Sequence, residues 1–142
     1  MNSELHENEK WILWNPLNME SCQAFSVEIK QEEIGTVFTV ECENQFVNLI
    51  FNGFIPIYIY SDEGIRMATY LPVQEKNNDR YYFRKWFLYK IENSDFFKWA
   101  MAECYNLYEN YKLQHFCIVT AYDVVDILSS TEPEIIVTPK EI

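Results

Sequence analysis

His115, Cys117, Asp123 and Asp126 fall within one fourteen-residue stretch, HFCIVTAYDVVDIL, residues 115 to 128. Metal centres and nucleophile–base pairs are built from these side-chain types, and spacing decides whether they act together. His115 and Cys117 are two apart, so on a strand they share a face with roughly 7 Å between them along the chain. A Cys–His pair needs a direct hydrogen bond, which that spacing reaches poorly. Asp123 and Asp126 are three apart. On a strand they face opposite ways; on a helical turn they become an N-cap and a first-turn residue. Neither geometry pairs two carboxylates at a catalytic separation. The neighbours are apolar and β-branched, so the stretch reads as core sheet with a polar turn at Tyr122-Asp123. Cys117 is then buried, His115 sits at a strand end with its polar tip near water, and Asp126 is an exposed or hydrogen-bonded strand carboxylate. His115 stays as the one polar candidate for a ligand cleft, and no catalytic residue is assigned.

The rest of the chain lacks the common catalytic signatures. It contains no GxxxxGK[ST] phosphate loop, no GxGxxG turn, no GxSxG elbow and no HExxH. Two histidines in total exclude a multi-histidine metal centre within one chain. We therefore expect no enzyme, no metal and no cofactor. Cys22, Cys42, Cys104 and Cys117 are widely spaced and read as free, buried thiols.

These residues must be held by a fold, and the pattern is mostly β. EKWILWNP (9–16) is a short strand closed by Asn15-Pro16. QAFSVEIK (23–30) and TVFTVECE (36–43) alternate cleanly, and Gly35 between them supports a hairpin turn. QFVNLIFNG (45–53) and FIPIYIYSD (54–62) follow, with Pro56 pointing to an edge or a bulge. Residues 63–70 are ambiguous, 74–80 read as a polar loop, and YYFRKWFLYKIE (81–92) reads as the longest later strand. Ser94 and Asp95 open one helix, carrying Phe97, Ala100, Met101, Cys104, Leu107 and Tyr108 at helical spacing through about residue 111. Strand character returns at 113–122. Residues 123–130 read as a paired strand or a helical turn, and 134–138 as a last short strand. The expected fold is α+β: one curved, mostly antiparallel sheet of about seven short strands with a helix, about 94–111, packed on it. A single domain spanning 1–142 fits the length.

The charge narrows the partners. Eleven lysines and arginines against 22 aspartates and glutamates leave a formal net charge of −11. That balance disfavours nucleic acid, whose phosphates need a basic face, and suits a basic protein. No apolar run approaches the roughly 20 residues that cross a bilayer. The polar N-terminus lacks an apolar secretory segment, so a cytoplasmic location is expected. Glu28, Glu41 and Glu43 on the outer side of the first hairpin, with Asp62 and Glu63 in SDEGIR, are the candidate partner-binding residues. Asp62, Glu63 and Arg66 are placed to form an ion pair among themselves.

Longer stretches carry a resemblance. Trp11 to Pro16, Asp62 to Arg66, Trp86 to Trp99 (WFLYKIENSDFFKW), His115 to Leu128 and Glu132 to Ile135 together resemble small acidic Firmicute immunity proteins encoded among polymorphic-toxin loci. The resemblance implies a non-enzymatic inhibitor that binds and neutralises a toxin, commonly a nuclease with a basic cleft. The alternative from the residues themselves is a small-ligand or structural module with an aromatic-lined cleft that uses His115.

Overall fold

The computed structural model describes residues 6–141, and its strands form two antiparallel sheets rather than one. In chain order the elements are β1 (Lys10–Leu13), β2 (Ala24–Glu32), β3 (Gly35–Cys42), β4 (Gln45–Phe51), β5 (Ile57–Asp62), a 3-10 turn (Glu63–Arg66) and α1 (Met67–Lys76). There follow α2 (Tyr82–Lys85), β6 (Leu88–Glu92), α3 (Asp95–Glu103), β7 (Gln114–Val119), β8 (Asp123–Ser129) and β9 (Glu134–Pro139). The five-stranded sheet runs β1-β6-β7-β8-β5 and the four-stranded sheet β2-β3-β4-β9. The expected single sheet divides because three connections, β1 to β2, β4 to β5 and β8 to β9, each leave one sheet and enter the other.

The first hairpin forms as expected. Val27 pairs with Val40 and Ile29 with Phe38, and these residues turn inward. Gly35 closes the hairpin at φ +132°, where a Cβ would lie 2.1 Å from the Phe51 carbonyl oxygen. Only glycine fits there. β4 adds Val47, Leu49 and Phe51 to the same inner face. Across from them the five-stranded sheet presents Leu88, Phe116, Ile118, Val125 and Ile127, all with essentially no exposure. Phe51 lies edge-to-face on Phe38 and on Phe116, with centroids 5.5 and 5.4 Å apart. Each such side chain contributes roughly 1.5–3 kcal/mol on burial, so this layer is the main adhesive between the sheets.

The five-stranded sheet is covered on its other face too. Val73 of α1 and Phe83 of α2 pack on Tyr89, Ile91, Cys117, Val119 and Val124. Burial on both faces explains why every residue of β8 is inaccessible and why Trp86 to Tyr89 are buried in succession rather than alternately. Residues 81–92 are accordingly one helical turn followed by a strand, not one long strand. α1 occupies the ambiguous segment and the first part of the expected loop. Its signal is weak because Pro72 lies inside it and only Thr69 and Val73 are buried. The later helix is shorter than expected. α3 ends at Glu103, since Tyr105 and Asn106 adopt left-handed φ of 51° and 58°, and Leu107 is 69% exposed. Pro56 precedes β5, which is an edge strand, as a proline there requires.

Two of the four cysteines depart from the expected free thiols: Cys22 and Cys42 form a disulfide, with Cα atoms 6.4 Å apart, that ties the approach to β2 to the end of β3. Cys104 and Cys117 are free. Among the described residues, no helix is long and apolar enough to cross a membrane.

Candidate functional site

The helix-side face of the five-stranded sheet carries a row of polar groups in an otherwise apolar layer. Strand register places Cys117 opposite Asp126 and His115 opposite Leu128, so His115 and Asp126 are diagonal neighbours on one face. His115 Nε2 lies 2.6 Å from Asp126 Oδ1 and Nδ1 lies 2.6 Å from Ser94 Oγ. A carboxylate only accepts, so Nε2 carries a hydrogen, and in the neutral imidazole the Ser94 hydroxyl donates to Nδ1. The second Asp126 oxygen meets Arg66 Nη2 at 2.5 Å. Arg66 also donates from Nε to Thr69 Oγ1 at 3.1 Å and from Nη1 to Ser61 Oγ at 3.3 Å. Thr69 Oγ1 lies 3.4 Å from His6 Nε2, and His6 Nδ1 lies 2.8 Å from Glu9 Oε1. Glu9 Oε2 then accepts from Asp95 N at 2.9 Å, and His6 N donates to Asp95 Oδ2 at 2.7 Å. Because Asp95 follows Ser94, the chain of contacts closes into a ring. It joins β7, β8, the 3-10 turn, α1, the approach to β1 and the start of α3.

Electrostatics explain why these charges tolerate burial. Desolvation alone would push the Asp126 carboxyl up. The hydrogen bond from His115, with the Arg66 guanidinium beside it, offsets this and holds it below its ordinary value. Burial likewise works against the Glu9 carboxylate, while the His6 bond and the Asp95 amide bring it below its ordinary value. The bond to Glu9 in turn raises His6. Burial, followed by the Asp126 charge, pushes the Cys117 thiol well up, which keeps it protonated.

Ser94, His115 and Asp126 have the residue types of a nucleophile–base–acid relay, but the atoms are spoken for. In a serine triad the base faces serine through Nε2 and the acid through Nδ1; here the two nitrogens are exchanged. Ser94 Oγ also accepts from Phe97 N at 2.9 Å, capping α3. The amide of Asp95 beside it is taken by Glu9. Ser94 and Asp126 are each 2% exposed. The relay therefore anchors α3 and the 3-10 turn to the sheet, and a small cleft of about 390 Å³ touches it at Ser94 and His115.

His115 is the second residue of β7, near a strand end as expected, but at 5% exposure its ring lies inside the layer and not in water. Arg66 pairs with Asp126 and not with Asp62 or Glu63. Asp62 Oδ2 instead caps the 3-10 turn by accepting from Gly64 N at 2.9 Å, and Glu63 Oε2 accepts from the Tyr70 hydroxyl at 2.6 Å. Burial and that bond push the Tyr70 phenol up to about 12. Asp123 is the first residue of β8 rather than a turn residue, and it also joins the sheets: its carboxylate accepts from Val27 N at 3.1 Å and from the Tyr60 hydroxyl. Glu28 and Glu41 share the outer face of the four-stranded sheet. Glu28 lies 3.5 Å from Lys30 and Glu41 lies 2.7 Å from Lys140. Glu43 is unpaired among the described residues and lines a cleft of about 490 Å³ whose charged lining residues are Glu20 and Glu43.

Sequence reasoning did not single out His6, Glu9 or Ser94 as members of a site. The i,i+3 spacing of His6 and Glu9 was the available signal for the first two. Donor atoms of His6, Glu9 and Asp95 lie within 4.8 Å of one another, the one such group among the described residues that is compact enough to hold a metal. His6 and Glu9 border a cleft of about 780 Å³, which Trp11, Thr69, Pro72 and Tyr82 also line.

No protein-family model matches the chain, and no curated protein or solved structure is significantly similar to it. The immunity-protein resemblance thus rests on the sequence alone.

Proposed function

We propose that this chain is a non-enzymatic inhibitor that neutralises a basic partner protein, such as a toxin with a cationic cleft. The observation that carries the reading is the cleft bounded by Glu20 and Glu43, which holds carboxylates without a lining cation. A lysine or arginine entering it meets two acidic groups and the half-buried Phe25, in a chain of net charge −11. Complementary potentials of this kind speed encounter and suppress wrong partners. The saturated hydrogen bonds of the Ser94–His115–Asp126 relay agree with a binding role. Of the residues named from sequence, Glu43 becomes the central contact. Glu28, Glu41, Asp62 and Glu63 become peripheral, because each already has an internal partner.

Identifying a basic toxin encoded beside this gene and co-expressing the two tests the reading. Rescue of growth and co-purification are expected, with both lost in Glu20→Lys/Glu43→Lys. Absence of rescue and of co-purification with the unaltered chain would overturn it. The small-ligand alternative is favoured by one observation, the 780 Å³ cleft with Trp11 and Tyr82 on its walls. Its polar groups are His6, Glu9 and Thr69 in place of His115.

A further inference from the structure

Two of the three arginines of this acidic chain sit together with no carboxylate partner. Arg80 lies two residues before the start of α2 and Arg84 lies within it. Their guanidinium carbons are 4.8 and 4.4 Å from the centre of the same ring, Tyr81. They are therefore within about 9 Å of each other. The nearby Asp79 does not neutralise them; it accepts from Lys85 Nζ at 2.7 Å and from Tyr81 N at 2.9 Å. Among the described residues neither arginine forms an ion pair, although carboxylates outnumber cations two to one. Both line one pocket of about 250 Å³.

We propose that this pocket binds a small oxyanion ligand, a phosphate- or carboxylate-bearing metabolite that also carries a hydroxyl or amine. Guanidinium groups supply planar forked donors matched to carboxylate and phosphate oxygens, and stacking on Tyr81 fixes them before the ligand arrives. Gln23 and Gln74 line the same pocket, and their side-chain amides make no hydrogen bond to the described residues. Glu63 is the remaining charged lining residue. Tyr70 holds its Oε2, which leaves Oε1 to accept from a ligand hydroxyl or amine. Phe83 contributes an apolar wall. A volume of 250 Å³ is below the roughly 300–1,000 Å³ of drug-sized sites, so the ligand is a compact metabolite. The site adjoins the Glu20–Glu43 cleft through Gln23, which lines both, but it carries the opposite charge, so anion binding is tested independently of the inhibitor reading.

The experiment is calorimetric titration of the whole chain with inorganic phosphate, glucose 6-phosphate and citrate, each at ionic strength matched with potassium chloride. Saturable binding of at least one probe is expected, and the probe that binds separates phosphate from carboxylate chemistry. Arg80→Gln and Arg84→Gln should each raise the apparent Kd at least about tenfold. Both side chains are exposed, so the variants should keep the parent circular dichroism spectrum. Lys98→Gln, on the exposed side of α3, removes one positive charge away from the pocket and should leave Kd unchanged. No saturable binding of any probe, or an equal loss in Lys98→Gln, would overturn the proposal.

Discussion

Replacing Asp126 with asparagine isolates the charge at the centre of the buried ring. The amide has nearly the same shape as the carboxylate but offers one acceptor and one donor. It must therefore turn an NH2 toward either His115 Nε2 or Arg66 Nη2, both of which donate. One hydrogen bond is lost outright and the half-buried Arg66 guanidinium loses its counter-charge. Breaking a buried pair from one side costs about 3–5 kcal/mol. Melting entropy for a chain of 142 residues is on the order of 0.3 kcal/mol per kelvin, so Tm should fall by roughly 10–17 °C. Differential scanning calorimetry at pH 7, with urea melts to confirm an unchanged slope, measures both quantities. A loss below about 1 kcal/mol, the level of a surface pair, would refute the assignment of Asp126 as the hub. The pH dependence gives a second reading. The folded Asp126 pKa is lowered, so its contribution is complete above the unfolded value of about 4 and is lost as pH falls through the lower folded value. His115 on β7, Arg66 from the 3-10 turn and Cys117 on β7 are the groups that face it. The gap between parent and Asp126→Asn should thus shrink below about pH 4.

Ser94→Ala removes the α3 cap and the His115 partner together, and should cost about 1–3 kcal/mol in urea denaturation; a change within about 0.5 kcal/mol would show that Ser94 does not hold the helix. Gly35→Ala meets both a left-handed φ and a carbonyl 2.1 Å away, so thermal melting should show a loss well above about 1 kcal/mol. A neutral result would mean the β2–β3 turn is not built as described.

The four-stranded sheet was legible because one of its faces is open, so inward and outward residues alternate along β2, β3 and β4. The five-stranded sheet was less so. Trp86 to Tyr89 and the whole of β8 are buried on both faces, and a continuous apolar run carries no period. α1 escaped notice since Pro72 breaks the pattern and two buried residues make a faint stripe. α3 was read too long because Leu107 and Tyr108 continue the helical spacing although the backbone has already turned back. At the site, His115 and Asp126 were each recognised, but their meeting depends on strand register, a diagonal across β7 and β8 that spacing within one segment cannot reveal. Arg66, Ser94 and Glu9 reach the ring from segments 21 to 117 positions away from its sheet partners, counted between Ser94 and His115 and between Glu9 and Asp126.

The interleaving of the two sheets has a consequence for synthesis. β8 pairs with β7 and with the distant β5, and β9 completes the four-stranded sheet by pairing with β4. When residue 113 has just left the ribosome, the β2–β3–β4 meander can already form from local contacts. β5, by contrast, still awaits β8, and β6, which has β1 on one edge, still awaits β7 on the other. Closing those long loops comes last and limits the rate, as it does in folds dominated by distant pairings. The vulnerable species is therefore a nascent chain with one sheet made and the other open, and its exposed strand edges are what a chaperone would have to shield.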